Sequence, residues 1–272
     1  MQPYRYVLGS FSAKYGGKRP KRLKSGRGLC YYPFMDGLDI VLTAADAYRA
    51  NTRGKLCVVI DILRATTTIT VALEAGCPAV IPAETPHEAK EIAEAEGCLL
   101  GGERESVRID GFDFGNSPLE YTTEKIGGRP IAFTTTNGTR AIRACADCDA
   151  LITASFLNRD AIVRYIEAWG GDVLLVCAGT RGEPTIEDTV CAGMLLDAIG
   201  VHKNNVSPAA GEAISLWNRH KGDLAVMMKQ ASPHGRSLVS LGCARDIDFA
   251  ARLNTHDILP IREGRRIVRL VE

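Results

Sequence analysis

Six short apolar runs, at 38–42, 56–60, 79–82, 131–135, 149–153 and 173–177, punctuate this chain, and helical patterns fill the intervals between them. Runs this short and this β-branched suit strands buried on both faces, which is the condition of a mostly parallel sheet covered by helices. Helices are expected at 67–76, 86–96, 118–126, 138–146, 158–169, 186–199, 208–220 and 222–231. Ser117-Pro118-Leu119-Glu120 reads as a capping box, Ser232-Pro233 repeats the device, and Thr185-Ile186-Glu187-Asp188 is a weaker version. The tail breaks the alternation, because ILPIREGRRIVRL at 258–270 reads as two strands turning at Glu263 and Gly264, an antiparallel hairpin. The fold class is therefore α/β, with a mixed sheet that is mostly parallel. No Pro- or Gly-rich linker divides the chain after residue 35, so residues 35–272 are expected as one domain, with any second lobe packed closely on the same sheet.

Several function classes drop out on composition. Eight of the 33 Lys and Arg residues fall in residues 1–34, which hold no acid, whereas the rest of the chain has 25 bases against 32 acids. The body is thus acidic and gives no sign of nucleic-acid binding; the basic arm is expected to be a disordered extension or a start site placed upstream of Met35. No apolar run approaches the roughly 18 residues of a membrane span, and no secretory h-region opens the chain, so a cytoplasmic location is expected. Nine cysteines, an odd number scattered through apolar contexts, suit reduced core thiols, and the single CxxC at Cys145 and Cys148 has no partner pair at zinc spacing.

The chemistry concentrates where strands end. VVIDILRATTTI at 58–69 runs an apolar strand into Asp61, Arg64 and a row of threonines; IAFTTTNGTRAI at 131–142 and VLLVCAGTRGEPTIED at 173–188 repeat the arrangement. Each such turn offers backbone N–H groups near a helix start, hydroxyls, and one guanidinium: Arg64, Arg140 or Arg181. Those are the parts of an oxyanion site, although helix capping with solvent-facing arginines explains any one turn equally well. In a parallel sheet the turns share an edge, which favours a common pocket for a small anionic ligand. Acids recur beside them: Asp61, then Glu103 and Asp113 in GGERESVRIDGFDFGNSP at 101–118, then Glu187 and Asp188, whose role as helix-capping charges is equally open. Carboxylates beside an anion site repel the ligand unless a hard cation lies between, so Mg²⁺ is expected. Phosphate-binding and dinucleotide glycine motifs and HExxH are all absent, and a cysteine-phosphatase loop at Cys177 and Arg181 has the wrong spacing.

The strings VVIDILRATTT, GGERESVRIDGFDFGNSP, TTTNGTRA, ASFLN, CAGTRGEPTIED and HGRSL, in this order from about residue 37 onward, resemble the successive motifs of the 2-phosphosulfolactate phosphatase (ComB) family. The resemblance implies a three-layer α/β/α fold and Mg²⁺-dependent hydrolysis of (2R)-O-phospho-3-sulfolactate to 3-sulfolactate, a step on a route to coenzyme M. Asp61, Glu103 and Asp113 are expected to hold Mg²⁺. Arg64 and Arg140, with Thr66, Thr67, Thr68, Asn137, Gly138 and Thr139, would clamp the phosphoryl group. Thr180 and Arg181 would receive the sulfonate or carboxylate, and Asn116 lies among the substrate-binding positions. Activated water or Asp61 itself stands as nucleophile, and His234 as a donor to the leaving group or a plain surface histidine. Glu105-Ser106 and Pro184-Thr185 depart from the family pattern, which has a glycine-containing pair and an aromatic-serine pair there. Another phosphorylated 2-hydroxy acid as substrate, a non-catalytic metabolite sensor, and a homo-oligomer remain open.

Overall fold

The computed structural model describes residues 37–201 and 206–271. The basic arm expected at 1–34 lies outside them. Ten strands form one sheet: β1 (Leu38–Val41), β2 (Leu56–Ile60), β3 (Val80–Pro82), β4 (Leu99–Arg104), β5 (Val107–Arg108), β6 (Ile131–Thr134), β7 (Ala150–Ala154), β8 (Val173–Cys177), β9 (Pro260–Glu263) and β10 (Arg266–Arg269). Their order is β1-β8-β2-β7-β9-β10-β3-β6-β4-β5. The first four strands pair in parallel, as do β3, β6 and β4. The expected C-terminal hairpin is present, but it sits in the middle of the sheet, with β9 antiparallel to β7 and β10 antiparallel to β3. Three successive inversions make the two parallel blocks run in opposite directions. A flat sheet would then put their carboxyl ends on opposite edges. They meet nonetheless, as the contacts below show, so the sheet coils between them.

The architecture is three-layered, and the strand alternation shows why. Leu56, Val58 and Ile60 of β2 and Val173, Leu175 and Cys177 of β8 enter one core, shared with helices Arg159–Trp169, Ile186–Ala198, Pro208–His220 and Leu224–Gln230. Cys57, Val59, Leu174 and Val176 point the other way, into a core shared with helices Ala44–Ala47, Ala65–Glu74 and Gly138–Ala144. Period-two alternation with both sets apolar is what two covered faces require. A smaller third core under helix Pro86–Glu96 holds Ala89 and Ile92 against Ile81 and Ala132.

Local differences from the sequence expectation have physical causes. The segment 101–118, where no strand is expected, holds most of β4 and all of β5, joined by Glu105 (φ 52°) and Ser106 (φ 68°) in the left-handed region. That conformation favours glycine, which accounts for the glycine-containing pair of the family pattern at this turn. The single helix expected at 118–126 is two short pieces, Pro118–Glu120 and Thr123–Ile126, because buried Tyr121 turns inward between them and donates to the Gly115 carbonyl at 2.7 Å. Ser232 caps its helix by accepting from Gly235 N at 2.8 Å, whereas Ser117 and Thr185 make no such bond. Among the described residues no helix is long and apolar enough to cross a membrane.

Helices Ile186–Ala198 and Pro208–His220 touch backbone to backbone at Gly193, where a Cβ would lie 2.0 Å from the Ala213 carbonyl oxygen. Gly193→Ala is therefore expected to destabilise the protein by about 1–3 kcal/mol through overpacking, read as a lower urea midpoint. An unchanged midpoint would contradict this close approach.

Candidate active site

The first turn is held by its own side chains. Asp61 N donates to Thr66 Oγ1 at 3.0 Å, and Thr66 Oγ1 donates back to the Asp61 carbonyl at 2.8 Å. Thr67 Oγ1 donates to the Ile62 carbonyl and Thr68 Oγ1 to the Asn116 carbonyl, both at 2.9 Å. All three threonines are buried in helix Ala65–Glu74, so every hydroxyl has a backbone acceptor where no water reaches. Their hydroxyl protons are thus committed to building the turn. The Asp61 carboxylate accepts from Ala65 N at 3.2 Å through Oδ1, and Oδ2 lies 2.6 Å from where a Cβ at Gly138 would stand. Only glycine at 138 lets the second turn come this close to the first.

The second turn closes on Glu103. Thr135 and Thr139 bond each other reciprocally, Thr139 N to Thr135 Oγ1 at 3.2 Å and Thr135 N to Thr139 Oγ1 at 3.3 Å. Glu103 Oε1 accepts from Thr136 N at 2.8 Å and Oε2 from Ser106 N at 2.7 Å. Asp188, in the first turn of helix Ile186–Ala198, accepts from Ile62 N at 2.8 Å and from Gly179 N at 3.2 Å. It ties the first turn to the third. The backbone donors expected to face a ligand are therefore taken in good part by the chain's own carboxylates. The result is a cluster of buried acids: Asp61, Glu103, Glu187 and Asp188. Glu187 Oε2 is buried and has no hydrogen-bond partner.

This crowding of like charge shows in the protonation of the group. Burial pushes the Asp61 carboxyl well up, the Asp188 charge adds to it, and the Ala65 N–H opposes both. Burial and Asp188 push Glu187 up to about 7. Burial raises Asp188 to about 6, against the hydrogen bond from Ile62. The His234 ring is half-buried, close to Leu63 and Arg64. Burial lowers its pKa, Arg64 and Arg181 lower it further, and Glu103 works the other way.

The arginines divide. Arg64 is buried, with Nη1 donating to Asp246 Oδ2 at 2.6 Å and Nη2 to the Ser106 carbonyl at 3.0 Å. Asp246 also accepts from Ser117 Oγ at 2.6 Å, which is why Ser117 caps nothing. Arg140 is exposed two residues beyond Gly138 and has no ion pair among the described residues. Arg181 (φ 54°) and Gly182 (φ 83°) form a tight turn closed by Thr180 N to the Glu183 carbonyl at 2.8 Å, which leaves Arg181 exposed at its tip. Asn137 is half-buried at the start of helix Gly138–Ala144. Asn116 is buried with Oδ1 unpartnered. Asp113 stands apart: it is exposed and accepts from Leu100 N at 2.8 Å, at the opposite end of β4 from Glu103. Asp246 went unseen in the sequence, since nothing in ARDIDF separates it from Asp248.

Comparison with known proteins bears on this arrangement. The family model for 2-phosphosulpholactate phosphatase matches residues 42–265. This chain belongs to that family. A probable 2-phosphosulfolactate phosphatase of Symbiobacterium thermophilum is 45% identical over 80% of this chain and 95% of its own length. Counterparts of the same name from Clostridium acetobutylicum and Thermotoga petrophila are 35% and 38% identical, each over 82% of this chain, and over 96% and 94% of their own lengths. All four turns and loops that build the acid cluster fall inside the span matched by the 2-phosphosulpholactate phosphatase model.

A stability prediction follows from the raised acids. In the unfolded chain Glu187 and Asp188 ionise near their ordinary values of 4.5 and 3.8, but in the folded protein they hold protons to about 7 and about 6. The folded form thus binds more protons in this interval, and stability falls as pH rises from about 4 to about 7. Glu187→Gln should flatten the fall in melting temperature across that range in EDTA. A variant whose profile parallels the parent's would contradict the placement of Glu187. Asp246→Ala leaves Arg64 buried without its partner and should cost about 3–5 kcal/mol, measured by urea unfolding; a loss below about 1 kcal/mol would mean Arg64 is solvated.

Proposed function

We propose that this protein hydrolyses the phosphate monoester of (2R)-O-phospho-3-sulfolactate to 3-sulfolactate and inorganic phosphate with Mg²⁺. The observation that carries the reading is the convergence of four buried carboxylates, from two βα turns and β4, beside exposed arginines with no ion pair among the described residues. A binder of anions alone gains nothing from buried acids, which repel its ligand.

The donor set fits the ion. All the candidate ligands are hard carboxylate oxygens, and Glu187 Oε2 is a buried acceptor with nothing to accept from. Among the described residues no three His, Cys, Asp or Glu side chains are disposed to hold an ion on their own. Mg²⁺ takes one or two carboxylates and completes its shell with water and phosphate oxygens. Asp61 and Glu103 would hold it, without the remote Asp113, and Glu187 would add its charge beside Asp61. The ion would supply neutralising charge to the phosphoryl oxygens.

The protein's own groups do the rest. Arg140 and Arg181, with no ion pair among the described residues, bind the anionic substrate and stabilise charge on the phosphoryl oxygens as the ester bond breaks. Arg64, fixed between Asp246 and Ser106, contributes its charge from a set position and holds the Asp61 turn in register. His234 lies within electrostatic reach of Arg64 and Glu103 and can hold or release a proton there. Water is the nucleophile on this reading, because Asp61 Oδ1 is already engaged by Ala65 N. On the same reading the product feeds a route to coenzyme M in the cytoplasm, and the free thiols throughout the described residues suit that compartment.

Phosphate release measured over a panel of phosphorylated 2-hydroxy acids, with and without EDTA, tests the proposal. We expect phosphosulfolactate to be turned over fastest and EDTA to abolish turnover. Asp61→Asn and Glu187→Gln should each lower kcat by about 10²- to 10³-fold. Full activity in both variants would refute the assignment, and solvent oxygen-18 appearing in Asp61 after a single turnover would replace water by a covalent route.

A further inference from the structure

Arg104, the last residue of β4, lies next to Glu103 in the chain, and its half-buried guanidinium ties three segments together. Nη1 donates to the Glu103 carbonyl at 2.7 Å. Nη2 donates to the Glu84 carbonyl, between β3 and helix Pro86–Glu96, and to Thr134 Oγ1 at the end of β6, both at 2.9 Å. All three acceptors are neutral, and the guanidinium has no ion pair among the described residues. Burial lowers its pKa, and the Glu103 charge opposes this.

What Arg104 holds is the start of the second turn. Thr134 is fully buried and pairs with Gly102, and the two backbones pack so closely that a Cβ at Gly102 would lie 2.0 Å from the Thr134 carbonyl oxygen. Two residues further on, Thr136 gives its N–H to Glu103 Oε1 at 2.8 Å and its hydroxyl to Oε2 at 3.3 Å. Successive residues of a strand point to opposite faces, so Glu103 and Arg104 reach the end of β6 from opposite sides. The turn cannot shift along or across the sheet without breaking one of the two sets of bonds. Only a guanidinium serves three acceptors spread this way, because its donors fan out in one plane; a lysine ammonium is a point charge without the fork.

We propose that Arg104 is a positioning residue for the metal site: by fixing Thr134 and the Glu84 turn, it sets the orientation in which the Glu103 carboxylate meets the ion. This inference rests on the reading of Asp61 and Glu103 as Mg²⁺ ligands and adds what keeps Glu103 in place.

Titration calorimetry of Mg²⁺ binding to the full chain without substrate, together with the Mg²⁺ dependence of phosphate release from phosphosulfolactate, tests it. Arg104→Gln should weaken Mg²⁺ binding by about 10- to 100-fold, while kcat at saturating Mg²⁺ stays near the parent's. Arg104→Lys, which keeps the charge and loses the fork, should recover only a minor part. Thr134→Val removes one acceptor without touching a charge and should weaken binding in the same direction, and the double variant should be little weaker than Arg104→Gln alone. Thr134→Val leaves Arg104 its two other acceptors, so it keeps the test valid if Arg104→Gln fails to fold. Unchanged Mg²⁺ affinity in the folded single variants, full recovery in Arg104→Lys, or fully additive losses in the double variant would each overturn the proposal. A parent that binds Mg²⁺ and releases phosphate while Arg104→Gln is indifferent sinks the positioning role alone. A parent that binds no Mg²⁺ removes the metal reading and this inference with it. Arg104-dependent Mg²⁺ binding in a parent that releases no phosphate supports the positioning role and contradicts the phosphatase reading.

Discussion

Carboxylates that accept backbone N–H groups at strand ends are the constraint on which this structure turns. Glu103 gathers Thr136 and Ser106, Asp188 gathers Ile62 and Gly179, and Asp61 takes Ala65. Each bond is favourable alone, since a helix start or a sharp turn leaves donors that must be satisfied. Together they draw four acids into one water-poor space, where burial raises Asp61, Glu187 and Asp188 above their ordinary carboxylate range and the Asp188 charge raises the first two further. The same bonds that hold the turns together thus create a local excess of negative charge. Only protons or a cation can relieve it.

Two buried polar arrangements make that geometry rigid. The Arg64–Asp246 pair joins the first turn to the C-terminal helix Ala244–Ala250, and Ser117 adds the loop after β5 to the same carboxylate. Helix Ala65–Glu74 is buried on every side from Ala65 to Leu73, which its four threonines tolerate because each hydroxyl has a partner, Thr70 donating to the Thr66 carbonyl at 2.8 Å. The β9–β10 hairpin, wedged between the parallel blocks, sets how the sheet coils and hence which strand ends meet. Site geometry therefore depends on the last helix and the last two strands as much as on the turns that carry the motifs.

Much of this was legible in the sequence, and the limits follow from physics. Period and length gave all six parallel strands of the opening pattern within about two residues, because a strand buried on both faces has no other composition. The hairpin was legible as a hairpin but its position was not: strand pairing partners are nonlocal, and ILPIREGRRIVRL carries no mark of its neighbours. The three strand-end turns were recognised as kin, and Asp61 and Gly138 do come into contact range. What could not be read was direction. Arg64 was expected to face the ligand and instead is committed to Asp246 and Ser106; Thr66, Thr67 and Thr68 look the same in sequence whether their hydroxyls meet backbone or phosphate. Asp113 and Glu103 lie in one segment, yet sit at opposite ends of β4.

The central proposal is that the acid cluster carries protons in the free protein that a divalent cation displaces. Calorimetry of Mg²⁺ binding at pH 6.5, repeated in buffers of differing ionisation enthalpy, measures this directly, because binding to protonated carboxyls must release protons. The account predicts net proton release that disappears at pH 9. Binding with no proton release at pH 6.5, or proton uptake, would contradict it.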